Sequence, residues 1–234
     1  MIFRQLFDRE SSTYTYLLGC PDSREALLID PVVAKVDDYC CLLEELELRL
    51  VVAADTHVHA DHITALGALR DRLGCVTVMG ERAHAACVSR AVDDGDSFGA
   101  GTLSLGVLYT PGHTDDSYCF VMADRVFTGD TLLIRGTGRC DFQNGDAVAA
   151  YHSLFERVLA LPDETLVYPG HDYRGNTVST IGEERRHNPR LQVRSAEEYA
   201  ALMASLKLPS PALMDVAVPA NRACGKPVSL PLKL

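Results

Sequence analysis

Residues 56–62 read THVHADH and place three imidazoles and one carboxylate, His57, His59, Asp61 and His62, within seven positions. Groups of the same kind stand at His113 in TPGHTDD, at Asp130 in FTGDT and at His171 in YPGHDY. Imidazole nitrogen and carboxylate oxygen are the ligands that borderline first-row metals accept. A glycine lies within two residues of each of the last three groups, and glycine lets a backbone turn tightly enough to aim several side chains at one point. A closed structural metal site takes four ligands, and this set offers more, which points to an open, reactive centre. Spacing alone is compatible with one metal or with two. His84, His152 and His187 have no such company and read as ordinary surface or helix-face residues.

The elements around these groups say how they are positioned. LRLVVAAD is an apolar strand of the fully buried kind, and after the histidines Ile63, Leu66, Leu69 and Leu73 recur at helical spacing. The cluster therefore sits in a strand-to-helix loop, at the carboxyl end of the strand. The same order recurs where TLSLGVLYTPGHT, RVFTGD and TLVYPGHD each deliver a histidine or aspartate to a strand end, and DAVAAYHSLFERVLAL reads as a helix. Several early strands, MIFRQLF and TYTYLLG among them, are joined by hairpins too short for crossovers. That order fits an α/β fold of two sheets with outer helices, an αββα four-layer sandwich, better than a doubly wound parallel sheet. Residues 1–234 read as a single domain with a helical and Pro-rich C-terminal cap from about Tyr173 onward.

Composition narrows the function classes. The 234 residues are 47% hydrophobic, enough for one sizeable core. With 22 Lys plus Arg against 32 Asp plus Glu, the net charge of −10 leaves no basic surface for a phosphate backbone, so no nucleic-acid partner is expected. No apolar run reaches membrane-span length and the chain opens on a strand-like stretch, so a soluble, cytoplasmic protein is expected. The eight cysteines form no CxxC pair, and a disulfide framework is not expected; most read as small buried hydrophobes, with Cys224 in NRACGKP left open. Asp115 and Asp116 either face the site, where they would disfavour an anionic substrate, or cap the following turn.

THVHADH followed by His113, Asp130 and His171 resembles the metallo-β-lactamase superfamily, over nearly the whole chain. More narrowly, LLIRGTGRCDFQNGD, HDYRGNTVST, EERRHNPR and AVPANRACG resemble its persulfide dioxygenase branch. The resemblance implies one Fe(II) per chain, held by His57, His113 and Asp130, with His59, Asp61, His62 and His171 around it fixing orientation, proton traffic and water. It implies oxidation of glutathione persulfide with O2 to sulfite and glutathione. Arg139 and Tyr173 are then the expected substrate contacts, and Asp141 the residue that holds Arg139 in place. The competing readings are a two-metal glutathione thioester hydrolase of the glyoxalase II type and a metal-binding protein without turnover. A homodimer is left open.

Overall fold

The computed structural model describes residues 1–208 and 213–226. Two six-stranded sheets face each other. The first runs β1 (Ile2–Asp8), β2 (Thr13–Gly19), β3 (Glu25–Ile29), β4 (Arg49–Ala54), β5 (Val76–Gly80) and β6 (Arg90–Val92) in spatial order. β1 to β3 form antiparallel hairpins, and β3 to β6 pair in parallel. The second sheet orders β12 (Ser179–Thr180), β11 (Leu166–Pro169), β10 (Arg125–Gly129), β9 (Tyr118–Val121), β8 (Leu103–Tyr109) and β7 (Ser97–Ala100).

Because side chains alternate across a strand, β2 sends Tyr16 and Leu18 into the space between the sheets and Leu17 to the outside. The inner core joins these to Ile29, Val78, Phe120 and Phe127. Outside the first sheet, α1 (Val36–Glu45) and α2 (Leu66–Leu73) contribute Tyr39, Leu43, Leu66 and Leu69 to a second core. Outside the second sheet, Ala150 of α3 (Ala147–His152) and Tyr199 and Met203 of α5 (Ala196–Ser205) enter a third. Helix, sheet, sheet, helix is the four-layer order expected from the strand grammar.

Three local expectations are corrected. The helix after the histidines begins at Leu66, not Ile63, because Ile63 and Thr64 pair with the segment after β3 through Val33 N–H to Ile63 O and a Val32–Thr64 bridge. The helix over DAVAAYHSLFERVLAL opens as α3, capped by Asp146 accepting from Val148 and Ala149, and continues as a π-type turn over Ser153–Val158. Cys87 and Cys224 form a disulfide, with Cα atoms 6.0 Å apart and a separation of 137 positions in sequence. The fold, not local spacing, brings this pair together. Cys20, Cys40, Cys75 and Cys119 are buried as expected.

The last part of the described chain carries α4 (Ile181–His187), α5 and α6 (Met214–Arg222); the PVSLPLKL stretch lies outside the described residues. Among the described residues no helix is long and apolar enough to cross a membrane. The sheets are tied together close to the strand ends that matter: Tyr16 donates to Pro169 O at 2.6 Å, and Tyr14 N–H donates to Gly170 O at 2.8 Å.

Candidate metal centre

Four strand ends converge. β4 delivers residues 55–62, β8 delivers His113, β10 delivers Asp130 and β11 delivers His171. One nitrogen of His57, one of His113 and one oxygen of Asp130 lie within 4.8 Å of one another. His113 Nδ1 lies 2.7 Å from Arg139 O. A carbonyl only accepts, so the proton sits on Nδ1 and the Nε2 lone pair is left for a metal. That Nε2 lies 3.6 Å from Asp130 Oδ2. His57 Nδ1 is 3.0 Å from the Thr56 hydroxyl, which donates onward to the buried Asp30 carboxylate, and this again frees Nε2. Burial, with His59 and His113 nearby, holds His57 well below the usual imidazole range, so it is neutral and able to ligate. Asp130 Oδ1 is 2.6 Å from His171 Nδ1, leaving Oδ2. Two imidazoles and one carboxylate, each with a single uncommitted donor on a common face, fit a first-row metal with open positions.

Gly138 is required by this arrangement. Its N–H donates to Asp130 O at 2.7 Å, and a Cβ there would stand 2.2 Å from that oxygen and 2.7 Å from His113 Nδ1.

Behind these groups His171 is clasped on both sides, by Asp130 at Nδ1 and by Asp61 at Nε2, 2.8 Å away. Burial opposes its charge, but the two carboxylates outweigh burial and hold the imidazolium well above its usual range. Asp61 is held well below the carboxylate range by His171 and His62, again against burial. The Thr13 hydroxyl stands 3.1 Å from both Asp61 Oδ2 and His171 Nε2. His59 Nε2 meets Asp30 at 3.2 Å, and Asp30 overcomes burial to raise His59 to about 9. His59 Nδ1 and His62 Nε2 are buried without a hydrogen-bond partner, and His59, Asp61 and His62 form a second group able to hold a cation.

A cavity of about 570 Å³ opens over His57, His113, Asp130 and His171. Arg139 and Tyr173 line it. The Arg139 fork is bidentate on Asp141, at 2.7 and 2.8 Å, and lies over the Phe142 ring. Asp141 does not line this cavity and reaches it only through Arg139. Tyr173 is 72% exposed and its ring is nearly parallel to that of His171, centroids 6.1 Å apart. His84, His152 and His187 lie on the surface, away from the cluster.

Several participating residues carry no local signal. Asp30 ends LLID like any strand-terminal aspartate, yet it accepts from Thr56 N–H, the Thr56 hydroxyl and His59. Asp116 takes neither expected role: it is buried and accepts Val58 N–H at 2.8 Å, inside the histidine loop. Asp115 accepts from the Asn144 amide at the surface. Arg174 and Arg190 add two cations to the cavity wall, Arg190 donating to Thr137 O.

Residues 8–171 match the family model described as the metallo-beta-lactamase superfamily. The human protein named persulfide dioxygenase ETHE1, mitochondrial, is 49% identical over 228 residues, spanning 96% of this chain and 89% of the relative. A probable metallo-hydrolase of Burkholderia pseudomallei is 31% identical, covering 97% of this chain and 94% of its own. Among solved structures, that of ETHE1 from Myxococcus xanthus superposes with a TM-score of 0.95 at 57% identity, covering 97% of this chain and all of the other. The converging strand ends, the layer order and these relatives agree: the chain belongs to the metallo-beta-lactamase superfamily, in the branch of the ETHE1 persulfide dioxygenases.

Proposed function

We propose that this chain is a persulfide dioxygenase that binds one iron through His57, His113 and Asp130 and converts glutathione persulfide, O2 and water to glutathione, sulfite and two protons. The observation that carries the reading is the donor set: two imidazoles and one carboxylate present one free ligand atom each on a face open to the cavity. The identity to relatives of that name supports the reaction class. Iron bound there would supply an open face at which a substrate sulfur and O2 meet.

The chain's own groups do the rest. Arg139 O and Thr56 fix the tautomers of His113 and His57. His171, held between Asp130 and Asp61, orients the Asp130 carboxylate. Glutathione brings two carboxylates, and Arg139, Arg174 and Arg190 supply cations on the wall that would receive them. Asp141 sets the direction of the Arg139 fork, and Tyr173 offers a hydroxyl and a ring face at the rim.

One observation favours a second reading, a two-metal thioester hydrolase. The unpartnered His59 Nδ1 and His62 Nε2, with Asp61, could take a second cation. Against it stands the high identity to relatives named persulfide dioxygenase. Metal analysis of protein prepared anaerobically without added metal separates the two readings. One iron per chain is expected; two metals per chain, with thioester hydrolysis that needs no O2, would establish the hydrolase.

A further inference from the structure

We propose that Asn221 is a positioning residue for the histidine loop and that the Cys87–Cys224 disulfide is a thiol-sensitive lock that keeps it in place. The inference rests on the reading of His57, His113 and Asp130 as metal ligands. Asn221 lies on α6 and is fully buried. Its amide nitrogen donates to His59 O at 2.9 Å and to His62 O at 2.8 Å, and its amide oxygen accepts Thr64 N–H at 2.9 Å. All three bonds go to main chain, so this side chain sets the path of the loop between His57 and α2. Only a primary amide of this length offers two donors and an acceptor at once. Aspartate would keep the Thr64 bond and lose both donors, and alanine would strand two buried carbonyls and an N–H.

Among the described residues, little apolar packing holds α6 over the loop. Ala217 and Ala220 are its buried apolar residues, and Val218 packs at the edge of the core outside the first sheet. Just beyond α6, Cys224 O accepts Gly67 N–H at 3.0 Å. Gly225, at φ +79°, passes so close that a Cβ would stand 2.2 Å from Thr64 O. The covalent tie is the disulfide to Cys87, in the loop after β5. A cross-link spanning 137 residues keeps the α6 end at the histidine loop at high effective concentration, which a few small apolar contacts alone would not.

Cys224 is buried and Cys87 half-buried, so an incoming thiolate attacks Cys87 Sγ. The S–S bond breaks, Cys224 leaves as a thiolate and takes a proton, and a mixed disulfide remains on Cys87. A second thiol attacks that mixed disulfide, releases Cys87 as a thiol and carries away the disulfide of the reductant. Two thiols supply the two electrons. The reductant class is a low-molecular-weight thiol, which the proposed reaction also releases as product.

The test is the rate at which iron-loaded protein surrenders Fe(II) to a chromophoric chelator, before and after dithiothreitol, with circular dichroism to confirm the fold. Loss of an outer hydrogen-bonding partner costs metal sites roughly 10- to 100-fold in affinity. Release from wild type should therefore rise at least about tenfold on reduction. Cys87→Ser should release at the fast rate with or without reductant, and so should Asn221→Ala and Asn221→Asp. The Asn221→Asp variant should also change the line shape of the EPR signal of its ferrous nitric oxide adduct, which a general loss of stability would not do. Eight free thiols in the denatured, unreduced protein would overturn the lock, as would equal release before and after reduction. Wild-type release and line shape in a folded Asn221→Asp would overturn the positioning role. Should both Asn221 variants fail to fold, Cys87→Ser and the reductant still decide the lock, and a third variant, Asn221→Ser, decides the positioning role by the same two readouts. A wild type that takes up no iron would remove the metal centre itself, and the proposal with it.

Discussion

Removing the Arg135 guanidinium should destabilise the wall of the site by an amount the structure allows to be worked out. Glu184 is fully buried, and its carboxylate meets Arg135 Nη1, Arg135 N–H at 2.8 Å, the Ser179 hydroxyl at 2.6 Å and Asn188 Nδ2 at 2.9 Å. Arg135 also pairs with Glu183 at the surface. Breaking a buried ion pair from one side costs about 3–5 kcal/mol, because a charge is left in a poorly solvating interior. In Arg135→Ala three neutral donors remain on Glu184, so the loss should fall near about 2–3 kcal/mol. For a chain of this size that corresponds to a fall in Tm of about 5–10 °C. Urea unfolding of the metal-free protein at pH 7 measures it. Adding Glu184→Gln removes the stranded charge and should restore about 1 kcal/mol or more. A single-variant loss below about 0.5 kcal/mol, or a double variant no more stable than Arg135→Ala, would refute the reasoning. The same wall carries Arg139 O onto His113, so iron retention should weaken along with stability.

His57→Ala and His113→Ala should each abolish iron binding and activity, since each removes one of the three proposed ligands, while His59→Ala keeps much of the iron; metal analysis of the three variants checks this. On the proposed substrate role of Arg139, Arg139→Lys retains the charge but loses the planar fork that Asp141 holds, so the KM for glutathione persulfide should rise while iron stays bound, as steady-state kinetics will show. Freshly loaded Cys224→Ser should turn over, because iron held by the proposed ligands would itself supply the open site for the substrate sulfur and no protein nucleophile would be needed; an inactive variant with normal iron and a normal fold would place a protein persulfide on the pathway.

The strand-end groups were legible because buried strands alternate predictably and each ends in a turn carrying a histidine or aspartate. His57, His113, Asp130 and His171 follow from that pattern, as does the four-layer order. Asp30, Thr13 and Asp116 were not legible, since each contacts the site across the fold and resembles a strand-end or turn residue in its own neighbourhood. Asn221 and Cys87 lay further out of reach. Their partners stand 157 to 162 and 137 residues away, and no local rule links a Pro-containing helix near the end of the chain to the carbonyls of a histidine loop.

The most direct test of the account is the ratio of O2 consumed to sulfite formed when iron-loaded protein is given glutathione persulfide. The dioxygenase reading predicts one O2 per sulfite and no uptake by His113→Ala. Sulfur release without O2 uptake, or the same uptake by His113→Ala as by the wild type, would contradict it.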